Sequence, residues 1–231
     1  MRMNKTVVAA GLLGLTAVLA GCGLGGPEEH DTVSYDVGGQ VTALRVGTDG
    51  GAIEVVESDR KGVHVTEDLT WRRDKPVTSH TTEGGTLTLK FSCPVHVAVG
   101  AGCDVSYRVE VPRGLPVRAE SDSGRVTLKD LSGDVEARSD SGAIDATGLT
   151  GKNAVARTDS GAITFAFAGP PETVKTTTDS GRTEVRLPKG AYDIDTSTDS
   201  GRKEISAPND PSAPRSVRLS SDSGDLKVTA A

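Results

Sequence analysis

Aromatic residues are scarce in this 231-residue sequence: one Trp, three Tyr and three Phe make up 3% of it. A globular core of this size usually contains more rings, because aromatic side chains bury the largest areas. We therefore expect a thin interior filled by Val, Ile, Leu, Ala and Thr, as in a stacked β structure. Amphipathic helical patterns are also missing after the N-terminal segment, which favours an all-β protein.

Residues that usually carry catalysis are also few. The four histidines, His30, His64, His80 and His96, all precede the C-terminal half of the chain. No acid, base, nucleophile and metal ligand converge in the sequence, so we predict a protein that is not an enzyme and needs no cofactor.

The sequence has no excess of positive charge. Its 26 Lys and Arg stand against 32 Asp and Glu, which gives a net charge of −6. This balance argues against nucleic acid as a partner and against a polybasic contact with a membrane surface.

The one long apolar run lies at the N terminus, from Val7 to Leu19, and it follows Arg2 and Lys5. The run is shorter than the ~20 residues that a transmembrane helix needs, and its positive flank is typical of a secretory signal peptide. Cleavage would remove both basic residues and lower the net charge to −8.

The residues at the end of this run, Leu19-Ala20-Gly21-Cys22, resemble the lipobox of bacterial lipoproteins. The resemblance implies a signal peptide over 1–21, acylation of Cys22, and attachment to the outer, extracytoplasmic face of the cell membrane through the lipid. An ordinary signal peptide that contains a cysteine is the alternative.

Two further cysteines, Cys93 and Cys103, would lie in an oxidising compartment, where a pair is first interpreted as a disulfide. Closing so short a loop should stabilise the fold by ~2–3 kcal/mol. A metal site that includes His96 is the alternative, but the spacing is not that of a zinc knuckle.

The C-terminal half contains a tetrapeptide, Ser/Thr-Asp-Ser-Gly, that occurs six times. Successive copies are 18, 19, 20, 20 and 23 residues apart, and the last gap contains the Pro-rich insert 208–214, which we interpret as a bulging loop. The aspartates and glycines of the six copies are Asp122 and Gly124, Asp140 and Gly142, Asp159 and Gly161, Asp179 and Gly181, Asp199 and Gly201, and Asp222 and Gly224.

Apolar and polar residues alternate on both sides of each motif, which is typical of strands with one buried face. In the first unit the inward residues are Val117 and Ala119 before the motif and Val126 and Leu128 after it. The column that begins with Val126 weakens in later units at Thr183 and Lys203, so it either faces a wetter edge or is partly misassigned. The columns predict a β-solenoid or β-helix-like stack of ~20-residue strand-turn-strand repeats; an antiparallel β-sandwich of hairpins is the alternative.

The chain then divides into the signal peptide, a tether over 22–30, a degenerate β-repeat region with the disulfide over 31–115, and the six repeats over 116–231. The N-terminal region contains an eroded unit at 41–56 and further predicted strands at 63–65, 86–91, 95–99 and 105–111. Trp71 and Tyr107 could form part of a sugar platform, although a core role is favoured for Trp71.

This organisation resembles the putative-adhesin family of bacterial β-strand-repeat envelope proteins, a family of unknown function. The resemblance covers about 31–231 and implies a stacked-strand fold and an envelope location. It rests on the segments Thr48–Val55, Trp71-Arg72, Gly85–Leu89 and Tyr107–Pro112, on the cysteine pair, and on the repeats.

For the motif itself we predict a structural turn, in which the Asp side chain binds backbone N–H groups, the preceding Ser or Thr adds another local hydrogen bond, and the Gly adopts a positive φ. Asp-Ser-Gly also occurs in aspartic and trypsin-like proteases, but six copies in register and the absence of a neighbouring His argue against both. Stacked aspartates would repel one another, so Ca²⁺ bound to the aspartate ladder is an alternative.

Together these features predict an adhesin-like binding or scaffolding protein that contacts an envelope protein or a wall polymer. The alternatives are an accessory protein of envelope-stress signalling that acts on a membrane sensor, and a calcium-stabilised surface protein. Because the last repeat ends at Val228–Ala231 without a polar cap, we also expect end-to-end self-association.

Overall fold

The computed structural model describes residues 27–94 and 102–230, and within them the chain forms strands and no helix. The strands are β1 Glu29–Val37, β2 Ala43–Thr48, β3 Ile53–Ser58, β4 Val63–Trp71, β5 Val77–Glu83, β6 Thr86–Ser92, β7 Cys103–Pro112, β8 Val117–Ser121, β9 Val126–Lys129, β10 Val135–Ser139, β11 Ile144–Leu149, β12 Asn153–Thr158, β13 Ile163–Phe167, β14 Thr173–Thr178, β15 Thr183–Leu187, β16 Asp193–Thr198, β17 Lys203–Ile205, β18 Ser216–Ser221 and β19 Leu226–Ala230.

The strands form two sheets that enclose one hydrophobic core. Sheet 1 has ten strands in the order β1-β4-β7-β3-β9-β11-β13-β15-β19-β17, and sheet 2 has nine in the order β16-β18-β14-β12-β10-β8-β2-β6-β5. Each repeat contributes one strand to each sheet, and equivalent strands pair in parallel and in register, as Val135 does with Val117 and Ala154. The prediction of a β-solenoid-like stack is confirmed, and the sandwich of antiparallel hairpins is wrong.

The stack does not follow the chain at its C-terminal end. The last repeat, β18/β19, lies between β14/β15 and β16/β17, so the fifth repeat forms the end of the stack. The Pro-rich segment connects the outer repeat back to the inner one. The expectation that β19 exposes a free edge is therefore wrong, because β17 covers it, and the reason given for end-to-end association through this repeat no longer holds.

Side-chain polarity explains this order. Val217, Leu219, Leu226 and Val228 of the last repeat are fully buried, whereas Lys203 of β17 is exposed. Interleaving therefore places the apolar repeat inside and the polar repeat at the end. It also explains why the inward column weakens at Lys203.

The end of the stack carries two polar caps. The Lys203 ammonium donates to the carbonyl of Thr196 on the opposite sheet at 3.0 Å. The Asn209 side chain accepts from the N–H of Ile194 and donates to its carbonyl, so it occupies part of the free edge of β16. An inward-pointing charge and a three-residue edge strand are devices that protect sheet edges from association.

The N-terminal region continues both sheets. The eroded unit, β2/β3, lies between β6/β7 and β8/β9, which repeats the interleaving seen at the other end. Beyond it, β4 and β5 pair antiparallel to β7 and β6, and β1 pairs antiparallel to β4. Trp71 and Tyr107 are buried in this part of the core, so they form no sugar platform. The predicted strand at 95–99 lies outside the described residues.

The repeat motifs turn only in part as predicted, since the bond of the leading Ser or Thr is present but the predicted bonds of the Asp side chain are not found in the described residues. In the first four motifs the leading Ser or Thr hydroxyl accepts a hydrogen bond from the glycine N–H at 2.7–2.9 Å. In the described part of the chain, no hydrogen bond joins a motif carboxylate to the N–H groups of its own turn. The central Ser N–H donates to the aspartate carbonyl of the neighbouring repeat at 2.7–2.9 Å, which links the corners into a ladder.

The motif glycines are required for close packing and not for their backbone angle, since none of the six has a positive φ. A Cβ added to any of them would lie 1.7–2.1 Å from the carbonyl oxygen of the glycine in the adjacent repeat. Real Cβ atoms do not approach an oxygen so closely, so any side chain would push the repeats apart.

We expect Gly142→Ala to lower the free energy of unfolding by about 2 kcal/mol or more, because its Cβ would lie 2.0 Å from the carbonyl oxygen of Gly124. Gly38→Ala is the control, since a Cβ there has no atom within 4 Å, and it should change stability by less than ~0.5 kcal/mol. Chemical denaturation measures both variants. Equal effects would show that close packing at the corner is not the constraint.

The core also contains hydroxyls that lack partners in the described structure, among them that of Thr183. Thr183 is fully buried in the column formed by Ile163 and Leu226, so that column was correctly assigned. A buried hydroxyl without a partner destabilises the folded state.

Replacing Thr183 by Val, which has nearly the same shape, should therefore raise the free energy of unfolding by about 1 kcal/mol. The matched control is Thr158→Val, which should be destabilising because the Thr158 hydroxyl accepts from the Gly161 N–H at 2.9 Å. Thermal and urea denaturation of the two variants would test the pair; a loss of stability in both would contradict the assignment.

Candidate functional site

A shallow groove of about 480 Å³ crosses the outer face of sheet 2. It extends over β2, β8, β10 and β12, at the junction of the degenerate region and the repeats. One wall is the cross-strand row Arg45, Arg118, Glu136 and Val155, which the parallel register aligns. The groove therefore combines arginines and a carboxylate with an exposed aliphatic side chain.

The arginines of this wall share acidic partners. The Arg118 guanidinium contacts Glu120 and lies 3.0 Å from Glu136, and its hydrogen bond to Glu120 is the main cause of its raised pKa. Arg45 lies 3.9 Å from Glu120, which is too long for a hydrogen bond, and its side chain is 47% exposed. Arg45 therefore keeps donors that can bind a ligand.

The opposite side of the groove is polar and ordered. Asp134 accepts from the backbone N–H of Asn153 at 3.0 Å and from its side-chain amide at 2.8 Å. Pro116 lies beside them. Because these groups are held by hydrogen bonds and by the strands, the groove needs little rearrangement to bind a partner.

The rest of this face has an uneven charge pattern. Because β18 lies between β14 and β16, Arg218 lies between Lys175 and Asp195 in the cross-strand row. The cations Lys175 and Arg218 are therefore neighbours, whereas a stack in chain order would place Asp195 between them. Arg218 pairs with Asp193, whereas Lys175 is exposed.

The aspartates of the corners form an acidic edge along one side of the stack. The corner hydrogen bonds fix its order, which extends from Asp49 of the eroded unit through the motif aspartates Asp122, Asp140, Asp159, Asp179, Asp222 and Asp199. Burial, together with the charges of Asp122 and Asp104, raises the pKa of Asp49. Within 27–94 and 102–230, no group of three or more His, Cys, Asp or Glu side chains could hold a metal ion. The calcium alternative thus has no ligand cluster in the part of the chain that the structure describes.

Cys93 and Cys103 are joined by a disulfide, with their Cα atoms 6.0 Å apart. Arg72 donates its backbone N–H to the carbonyl of Gly102 beside this bond. His96 and Cys22, with the whole predicted signal peptide, lie outside the described residues. In the described ranges, no helix is long and apolar enough to cross a membrane.

Sequence reasoning missed the groove and one buried carboxylate. The groove exists because β2 pairs with β8, and no local sequence pattern indicates that these two strands are neighbours. Glu67 is only 1% exposed and occupies an inward position of β4, in a row with Val65 and Leu69. The alternation of Val63, Val65, Leu69 and Trp71 around it was the signal that could have identified it.

A solved structure shares this fold, and a second one shows a weaker likeness. A crystal structure of a putative adhesin from Bacteroides fragilis has 14% sequence identity and a TM-score of 0.53, with 88% of this chain and 97% of that chain covered. A putative cell adhesion protein from Clostridium sporogenes has 11% identity and a TM-score of 0.47, covering 88% and 100%. At 14% identity, the likeness to the Bacteroides fragilis protein shows the fold alone. The search of curated proteins found no match to the chain.

The repeat block also matches a family model. Residues 116–229 match the model described as Toastrack DUF4097, and this range contains β8 to β18, most of β19 and all six motifs. The chain therefore contains, over 116–229, a repeat domain that matches the Toastrack DUF4097 family model.

Proposed function

We propose that this protein is a lipid-anchored, extracytoplasmic binding protein of the cell envelope, adhesin-like and non-catalytic. The observation that carries the proposal is the groove on sheet 2, because it is a concave surface that combines charged side chains with an exposed aliphatic wall. The lipobox at Cys22 and the disulfide, which suits an oxidising compartment, support the location.

The stack is suited to binding extended partners. Its outer side chains project from paired strands at fixed spacings of ~4.8 Å across the sheet, so the surface is ordered before the partner arrives. The groove crosses several strands and offers Arg45, Glu136 and Val155 along its length. Such a surface fits an extended glycan or peptide of another envelope component.

Acylation of Cys22 would place the protein in the membrane fraction, because each buried methylene contributes ~0.8 kcal/mol to membrane binding. We expect Cys22→Ala to leave the protein unprocessed at the lipobox and without label when cells are supplied with a radioactive fatty acid. The wild type should carry the label and should lose residues 1–21. Equal labelling of both proteins would contradict lipid attachment at this residue.

Binding through the groove is tested with Val155→Asp, which places a charge on its exposed aliphatic wall. Isolated wall polymer and detergent-solubilised membrane proteins serve as separate probes, and we expect about ten-fold weaker retention of one of them by the variant. The matched control, Ala166→Asp, lies on the outer face of sheet 1 beside Arg186 and should bind as the wild type does. If Val155→Asp retains both probes normally, the groove is not the binding site.

A further inference from the structure

Strand β1 is the outermost strand of sheet 1, and its buried side chains are confined to one end. It pairs with β4 along its nine residues, and its other edge has no strand beside it in the described structure. Of its residues only Val37 is buried and Tyr35 is partly buried; the others are exposed. Beyond the backbone pairing, the buried side-chain contacts of β1 thus come from a short C-terminal part of the strand.

The central contact of that part is a hydrogen bond to a buried carboxylate. The Tyr35 hydroxyl donates to Oε1 of Glu67 at 2.6 Å. Burial, and then the bond to Glu67, raise the pKa of Tyr35, so the phenol remains a donor. Tyr107 lies opposite Glu67 in the β4–β7 register, and its hydroxyl has no partner in the described structure.

Apart from the burial of Val37 and the stacking of the Tyr35 ring on His80 at 4.7 Å, the side-chain contacts of β1 lie on the surface. Thr32 donates to Asp68 at 2.8 Å, and Asp36 pairs with Arg60 and His64 at 3.0 and 2.9 Å. The Asp36 carboxylate is 74% exposed, so solvent screens these pairs and each contributes little. The bond from Tyr35 to Glu67 is the contact that distinguishes a docked β1 from a released one.

The link from β1 to β2 can act as a hinge. It begins with Gly38 and Gly39, where an added Cβ would have no atom within 4 Å, and Gly39 has a φ of +88°. The backbone at the two glycines is free of side-chain packing, so the direction of β1 can change there, and its release withdraws only Val37 and Tyr35 from the core.

From this geometry we propose that β1 is exchangeable between copies of this chain, so that the edge of β4 binds either its own β1 or that of a second copy. All contacts across this edge re-form in the exchange, as in other domain swaps. The buried Glu67 makes the edge selective: a strand without a phenol at the register of Tyr35 would leave the carboxylate buried and unpaired. The partner that fits is therefore a second copy.

The test uses Ser34 and Thr66, which are opposite each other on β1 and β4 with their hydroxyl oxygens 2.9 Å apart. Full-length Ser34→Cys and Thr66→Cys proteins are mixed, incubated at increasing concentration and then briefly oxidised. We expect a cross-linked dimer that contains one copy of each variant, in a yield that rises with protein concentration. In the control for random collision, the Ser34→Cys protein is mixed with a Thr127→Cys protein, whose cysteine lies on the outer side of β9. The yield of cross-linked dimer in this mixture should not rise in the same way with protein concentration.

Two further variants connect the exchange to Glu67. Tyr35→Phe should speed the appearance of the cross-linked dimer by about ten-fold or more, because the docked strand loses a hydrogen bond to a charged group. Thr32→Val, which removes only the exposed bond to Asp68, should leave the rate almost unchanged.

A single chain that carries both Ser34→Cys and Thr66→Cys shows whether the pair can form a disulfide. If this chain oxidises completely within itself while the mixture yields no dimer above the collision control at any concentration, β1 does not exchange. An equal rate for Tyr35→Phe and the wild type would overturn the role of Glu67.

Discussion

The fold depends on the close approach of neighbouring repeats at their Asp-Ser-Gly corners. There the glycine of one repeat lies so near the carbonyl of the next that no Cβ fits between them. The same approach lets the Ser N–H bind the aspartate carbonyl of the adjacent repeat and lets parallel strands pair in register. Small aliphatic residues such as Ala119, Ala137 and Ala156 then fill the narrow interior. This is why a core with few aromatic rings can be well packed.

Position along the stack is decided by burial and not by chain order. Parallel in-register pairing is nearly the same for every repeat, so the backbone alone does not choose which repeat ends the stack. The side chains decide the order, because burial of Leu226 and Val228 between two repeats stabilises the fold more than burial of Lys203 and Ile205 would. A lysine at an inward position is compatible only with the end, where its ammonium reaches a carbonyl of the opposite strand. The terminal repeat thereby protects the edge that a solenoid would otherwise expose.

Much of the fold could be predicted from the sequence because it is local and repeated. The alternation around each motif assigned the inward columns, and Thr183, which looked like an error, is buried where its column places it. The order of the outer repeats could not be predicted, since it depends on comparing burial over distant segments. For the motif, the predicted bond of the Ser or Thr hydroxyl is present, whereas the predicted role of the Asp side chain and the positive φ are not, and the Gly serves close packing. Local preferences of Asp and Gly cannot reveal a clash with the next repeat. For the candidate site, the residues are ordinary in sequence, and only the pairing of β2 with β8 brings Arg45 beside Arg118.

The features that could support function lie where the repeat is broken. Regular repeats present nearly equivalent surfaces, so a partner has no reason to prefer one of them. At the junction with the degenerate region, Arg45 and Val155 fall on one groove, and at the N-terminal end Glu67 replaces an aliphatic residue in the core row of β4. A buried carboxylate lowers stability unless a partner satisfies it, and here the partner is supplied by a strand that has few other buried contacts. The regular repeats thus supply rigidity, while the irregular N-terminal part supplies the contacts that can distinguish one partner from another.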